Sequence, residues 1–206
     1  MMDKTTLTMI TRTIEEHRVL LGELDAAVGD GDHGESLARA MRVALDQLQT
    51  DTPPAQMFAL FGRRLLSEMG GASGPMFGTL FIELGRGLAD GDESVETVRD
   101  GLIAALGKIQ ALGGAEPGDK TLIDALHPAV EALSRAAEEG LSLSAALDEA
   151  TRASRHGAEA TKAMVAKRGR AKYVGDKSAG HQDAGATACW LIMGALARSV
   201  GGAGEE

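Results

Sequence analysis

A chain of 206 residues, 44% apolar and 25% charged, holds enough nonpolar mass for one sizeable core and is not an intrinsically disordered polymer. Its net charge of −9 and its 3% aromatic content argue against nucleic acid as a ligand, because an acidic surface repels phosphates and few rings are available to stack on bases. The N-terminal MMDKTTLTMITRT lacks the apolar stretch and cleavage site of a secretory leader, and the longest apolar run, residues 188–197, is too short to span a bilayer. The single Cys189 lies inside that run, reads as a core residue and has no internal disulfide partner. The expectation is a soluble, cytoplasmic protein with one domain over residues 1–206 and neither membrane nor nucleic acid as a partner.

The spacing predicts helices nearly throughout. Leu7, Ile10, Ile14, His17, Leu21, Leu24 and Val28 fall three or four apart, the buried face of one long helix, with His17 as a satisfied boundary histidine. A second helix runs from Glu35 to Gln49. Pro53-Pro54 opens a third, with Phe58, Phe61, Leu65 and Met69; a fourth after Gly70-Gly71 carries Phe77, Leu80, Phe81, Leu84 and Leu88; a fifth extends from Ser94 through Ile109. A glycine-rich connection, residues 113–119, precedes a sixth helix in which Thr121 and Asp124 resemble a capping box and Pro128 should cause a bend. The seventh has a seam of small residues from Leu143 through Ala146, Ala150, Ala153, Gly157 and Ala160 to Met164, suited to close helix approach; the eighth spans Ala184 to about Val200. Eight helices without a convincing strand predict an all-α fold, a bundle or a closed helical barrel.

Three features carry chemistry. Asp25, Asp30 and Asp32 lie within eight residues, and three carboxylates so close repel one another unless a cation sits among them; hard oxygen ligands suit Mg²⁺ or Ca²⁺. The spacing is not that of an EF-hand, since the position of its terminal Glu is Ser36. The bland alternative is an exposed Asp-Gly turn. The second feature is Gly70-Gly71-Ala72-Ser73-Gly74-Pro75 entering a helix, which can present backbone N–H groups to an anion or simply be an interhelical turn with Ser73 as N-cap. The third is the basic run Lys167-Arg168-Gly169-Arg170-Ala171-Lys172, either cations at the end of the seventh helix or a flap closing on phosphates, with Asp183 as a candidate N-cap of the eighth. Neither a P-loop nor a dinucleotide fingerprint is present. Residue chemistry alone points to an all-α, Mg²⁺-dependent anion or phosphate binder.

Taken in order, Leu24-Asp25-Ala26-Ala27-Val28-Gly29-Asp30-Gly31-Asp32-His33-Gly34, Gly70-Gly71-Ala72-Ser73-Gly74, Gly118-Asp119-Lys120-Thr121, Gly169-Arg170-Ala171 and Gly180-His181-Gln182-Asp183-Ala184-Gly185-Ala186-Thr187 resemble the nucleotide-binding L subunit of dihydroxyacetone kinases. The resemblance implies a closed barrel of eight antiparallel helices that binds nucleotide at one end. It assigns Asp25, Asp30 and Asp32 to two Mg²⁺ ions, and His33, Gly34, Glu35 and Ser36 to phosphate oxygens at a helix start. Ala72 and Ser73 fall in the phosphate loop, Gly113 and Leu122 beside the adenine, Arg170 on the flap as the catalytic cation, and Asp183, Ala184 and Gly185 in the segment closing over the nucleotide.

Three positions depart from the family pattern: Ala184 stands where a proline is expected, and Glu35 and Ser36 stand where many relatives carry uncharged residues or Asn. The implied activity is that of an ADP/ATP-binding subunit. It passes a phosphoryl group from a phosphohistidine on a separate M subunit, fed by phosphoenolpyruvate, to dihydroxyacetone held on a K subunit, and it is inactive alone; a homodimer is left open. An ATP-using kinase subunit for dihydroxyacetone or another short ketose, a nucleotide-sensing module and a Ca²⁺-stabilised helical protein are the alternatives.

Overall fold

The computed structural model describes residues 2–201. Among them the regular structure is entirely helical: α1 (Lys4–Glu16), α2 (Arg18–Ala26), α3 (His33–Asp46), α4 (Pro54–Glu68), α5 (Ser73–Gly87), α6 (Val95–Gly113), α7 (Ile123–Glu138), α8 (Leu143–Ala160) and α9 (Ala184–Gly201), with 3-10 segments at Leu88–Asp90, Thr161–Ala163 and Arg170–Ser178.

The long first helix of the sequence reading is two helices. His17, at φ −102° and ψ 8°, leaves the helical conformation and caps both α1 and α2. Its ring Nδ1 lies 2.8 Å from the Thr13 carbonyl oxygen, which also accepts the His17 N–H at 3.2 Å. The side chain thus shares the Thr13 carbonyl with the last bond of the α1 ladder at the point where the helix ends. A seam of correct period could not show it. The seventh helix also stops early: α8 ends at Ala160, the chain tightens into a 3-10 turn, and Met164 is extended. The basic run therefore lies outside the last turn of α8, and the helix dipole does not account for it.

Helix starts follow their caps. The Asp3 carboxylate accepts the N–H groups of Thr5 and Thr6, and the hydroxyls of Ser94 and Ser142 accept those of Thr97 and Ala145. Of the capping box expected at Thr121 and Asp124 one half forms: Asp124 Oδ2 accepts the Thr121 N–H at 2.7 Å, but Thr121 Oγ1 accepts the Ile123 N–H at 3.2 Å instead of that of Asp124, and the residue at the N-cap of α7 is Leu122.

Each of α3 to α8 packs on the next in sequence, α1 packs on α3, and α9 returns against α1, with α2 laid over α3. Inside lies one apolar cluster built from all nine helices. Phe58, Phe61, Phe77 and Phe81 are fully buried there, and Phe61 meets Phe81 edge-on at 4.9 Å. Each such ring contributes roughly 1.5–3 kcal/mol by leaving water. By length and composition α9 could cross a bilayer, but 67% of it is buried in this core, against α1, α7 and α8.

Two glycines permit helix approaches that no side chain would allow. A Cβ on Gly34 would stand 1.9 Å from the Arg18 carbonyl oxygen, so α3 sits directly on α2. A Cβ on Gly157 would stand 1.9 Å from the Asp124 carbonyl oxygen. That carbonyl has no helical donor because Pro128, four residues on, lacks an N–H. The proline and the small-residue seam of α8 are thus two halves of one α7–α8 contact.

Candidate functional site

Asp25 sits on the last turn of α2, Asp30 in the turn that follows, and Asp32 immediately before α3. The turn is tight: the Gly29 N–H donates to the Asp25 carbonyl at 2.6 Å, and Gly31 takes the left-handed φ of +77°. One carboxylate oxygen from each aspartate falls within 4.8 Å of the other two. Asp25 Oδ2 also accepts the His33 N–H at 3.4 Å, and the Asp32 side chain caps nothing. The α3 N-terminus favours negative charge, though not three full charges. The Arg170 guanidinium pairs with Asp30. One cation against three carboxylates leaves the cluster net negative, a donor set that fits a divalent ion with oxygen ligands.

His33 begins α3 beneath this cluster. Its Nδ1 is 3.4 Å from Ser73 Oγ, its ring is 5.9 Å from that of Phe77, and its Nε2 is buried without a protein partner. Burial pushes its pKa below the ordinary value, partly opposed by the nearby Asp25 carboxylate. The imidazole is therefore neutral at pH 7 and offers one unsatisfied nitrogen, which suits a ligand oxygen.

Across from it α5 begins at Ser73. Ala72, not Ser73, is its N-cap, and no side chain covers the first turn. The expected serine cap is thus displaced by one residue. Its hydroxyl points to His33 instead, leaving open N–H groups at the positive end of the helix.

The third wall comes from residues 118–124 and 161–185. Asp119 is buried, accepts Lys167 Nζ at 3.1 Å and Arg168 Nε at 3.2 Å, and takes the Glu116 N–H at 3.1 Å. That backbone hydrogen bond first, and the two cations after it, hold its carboxyl below the usual range. Asp183 caps α9 through the Ala186 N–H at 2.7 Å, so the cap forms with Ala184 in place of proline. Burial raises its carboxyl to about 6, with Asp124 and Asp25 adding to the effect against the Ala186 hydrogen bond and Lys120.

These walls enclose a cavity of about 260 Å³. Of the residues singled out by sequence, Asp25, Asp30, Asp32, His33, Ser36, Ala72, Ser73, Leu122, Arg170, Asp183, Ala184 and Gly185 line it. Three do not. Gly34 is buried against α2, and Gly113 closes α6 with its Cα face toward Met76. The exposed Glu35 turns its carboxylate to Arg18 at 3.6 Å. Met69, Met76 and Phe77 give the cavity an apolar side; the seam patterns read Met69 and Phe77 only as core and do not include Met76. Lys120 also lines it, fully buried, and no local pattern marks a lysine for burial.

The DAK2 domain matches residues 27–198. The chain is 38% identical over 181 residues to the ADP-binding subunit DhaL of the PEP-dependent dihydroxyacetone kinase of Escherichia coli, covering 84% of each. It is 34% identical to the corresponding subunit of kinase 1 of Listeria innocua, over 89% of this chain and 88% of that one. The crystal structure of the dihydroxyacetone kinase from C. freundii in complex with AMP-PNP and Mg²⁺ superposes with a TM-score of 0.70 at 33% identity, over 95% of this chain and 33% of that one. The chain belongs to the DAK2 domain family.

Proposed function

We propose that this protein is the ADP/ATP-binding subunit of a phosphoenolpyruvate-dependent dihydroxyacetone kinase, a phosphotransferase component that acts only with partner subunits. The carrying observation is the convergence on one cavity of three carboxylates, an uncapped helix N-terminus, a neutral buried histidine and Arg170. The similarity to ADP-binding subunits over 84% of both chains supports it.

Asp25, Asp30 and Asp32 would hold Mg²⁺, two ions in this reading, whose charge would offset that of the phosphate oxygens. The N–H groups at the start of α5 and the His33 Nε2–H bind the remaining oxygens, with the Ser73 hydroxyl donating to His33 Nδ1 and so fixing that tautomer. Leu122 and the apolar side of the cavity take the adenine. Arg170 leaves Asp30 for the phosphoryl group in flight, where a guanidinium stabilises spread negative charge. The phosphoryl group passes from a phosphohistidine on an M-type partner to ADP, and then to dihydroxyacetone on a K-type partner. The helix neighbours, returning from α9 to α1, support a closed eight-helix barrel with α2 as an added piece, forming one domain in the cytoplasm.

Protein desalted in Mg²⁺ and then denatured should release about one ADP per chain, and EDTA treatment before desalting should remove it. With K-type and phosphohistidine partners it should then phosphorylate dihydroxyacetone. Steady turnover on exchangeable ATP without the phosphohistidine donor would make it an ATP-using subunit instead.

A further inference from the structure

Two consecutive residues of the α6–α7 connection, Asp119 and Lys120, are buried and both reach into the segment that carries Arg170. Lys120 Nζ donates to the carbonyls of Thr161 (2.8 Å) and Met164 (3.2 Å) at the start of that segment, and of Ser178 (2.8 Å) and His181 (2.5 Å) at its end. An ammonium has three N–H groups, so four carbonyls share them around one point charge; a planar guanidinium could not serve acceptors converging in this way.

Further ties draw the same two ends together. The Gly180 N–H donates to the Lys162 carbonyl at 2.7 Å, the Ala166 N–H to Ser178 Oγ at 2.8 Å, and the Asp183 N–H to Thr161 Oγ1 at 2.9 Å. Between the ends, Asp119 holds Lys167 and Arg168, and Arg170 projects onto Asp30. Lys120 adopts a left-handed φ of +62°, costly for a residue with a side chain, and it buries a charge that hydrogen-bonds only to carbonyls. Neither feature is needed to fill a core.

We propose that Lys120 is a positioning residue, clasping both ends of the 161–181 loop through its backbone carbonyls and thereby setting Arg170 over the carboxylate cluster. The proposal rests on the nucleotide reading for its consequence but not for the clasp itself. Lys120 would govern the phosphate half of nucleotide binding while its ammonium remains engaged with the loop.

In the full-length chain, Lys120→Met should stay folded, and trypsin should cut after Lys167, Arg168 and Arg170 at least about tenfold faster in the absence of nucleotide. Calorimetry should show Mg-ADP affinity reduced about tenfold or more, with adenosine affinity unchanged. Arg170→Ala in the Lys120→Met background should add little, because the guanidinium is already misplaced. Unchanged cleavage, or losses of Mg-ADP affinity that simply add, would overturn the proposal.

If Lys120→Met does not fold, Lys120→Gln takes its place. Hydrogen exchange on the wild type then gives a second test, in which the amides of Ala166, Gly180 and Asp183 should lose protection as one unit; independent loss would overturn the clasp. A wild type that binds no Mg-ADP would defeat the nucleotide reading, while cleavage and exchange would still decide the role of Lys120.

Discussion

At the scale of single residues, the site opposes local stability. Asp32 makes no capping hydrogen bond and adds a third negative charge to Asp25 and Asp30. Asp32→Asn should therefore leave the melting temperature of the nucleotide-free protein unchanged or raise it, while weakening Mg-ADP binding at least about tenfold by calorimetry; a lower melting temperature with intact binding would contradict this. Asp183 gives a pH signature. Its carboxyl binds a proton at about 6 in the folded chain against 3.8 for the ordinary group. Between those values the folded state holds more protons, so this group's contribution to stability is lost as pH rises through that window. Asp183→Asn, which keeps the acceptor for the Ala186 N–H, should remove that component of the slope in calorimetric scans from about pH 4 to about pH 6.5. Identical slopes in the two proteins would refute it. Cys189 is fully buried, and burial raises its thiol to about 12. It should resist a thiol reagent at neutral pH until the chain unfolds; rapid labelling of the native protein would place it elsewhere.

At the scale of helices, apolar period and caps reveal most of the fold, and its interruptions are side-chain chemistry. The face from Leu7 to Val28 keeps its spacing through His17, so the break shows only in that residue's backbone angles, where its ring shares the Thr13 carbonyl. The seam from Leu143 to Met164 correctly marks a close helix contact but overruns the end of α8 at Ala160. Gly157 is the sharpest test of that contact. Gly157→Ala forces a methyl against the Asp124 carbonyl, and α7 and α8 must separate. The expected cost is about 1–3 kcal/mol, with the melting temperature lowered by about 2–4 °C for each kcal/mol. An unchanged melting temperature would mean that the two helices have room to spare.

At the scale of the whole molecule, the cavity draws on α2, α3, α5, the residues before α7 and the segment before α9. Short motifs could name the aspartates and the glycine-rich entry to α5, because each lies within one stretch of chain. The basic run was ambiguous: its pairing with Asp119 and Asp30 spans 48 residues or more, and no local spacing encodes that. Lys120 was legible only as part of Gly118-Asp119-Lys120-Thr121, since its burial depends on carbonyls contributed from residues 161–181. If these scattered pieces form one Mg²⁺-dependent nucleotide site, calorimetric titration of ADP into nucleotide-free protein, in Mg²⁺ and again in EDTA, reads it out. Saturable binding near one ADP per chain in Mg²⁺, abolished by EDTA, is the predicted result; binding of equal strength in EDTA, or none in either, would contradict it.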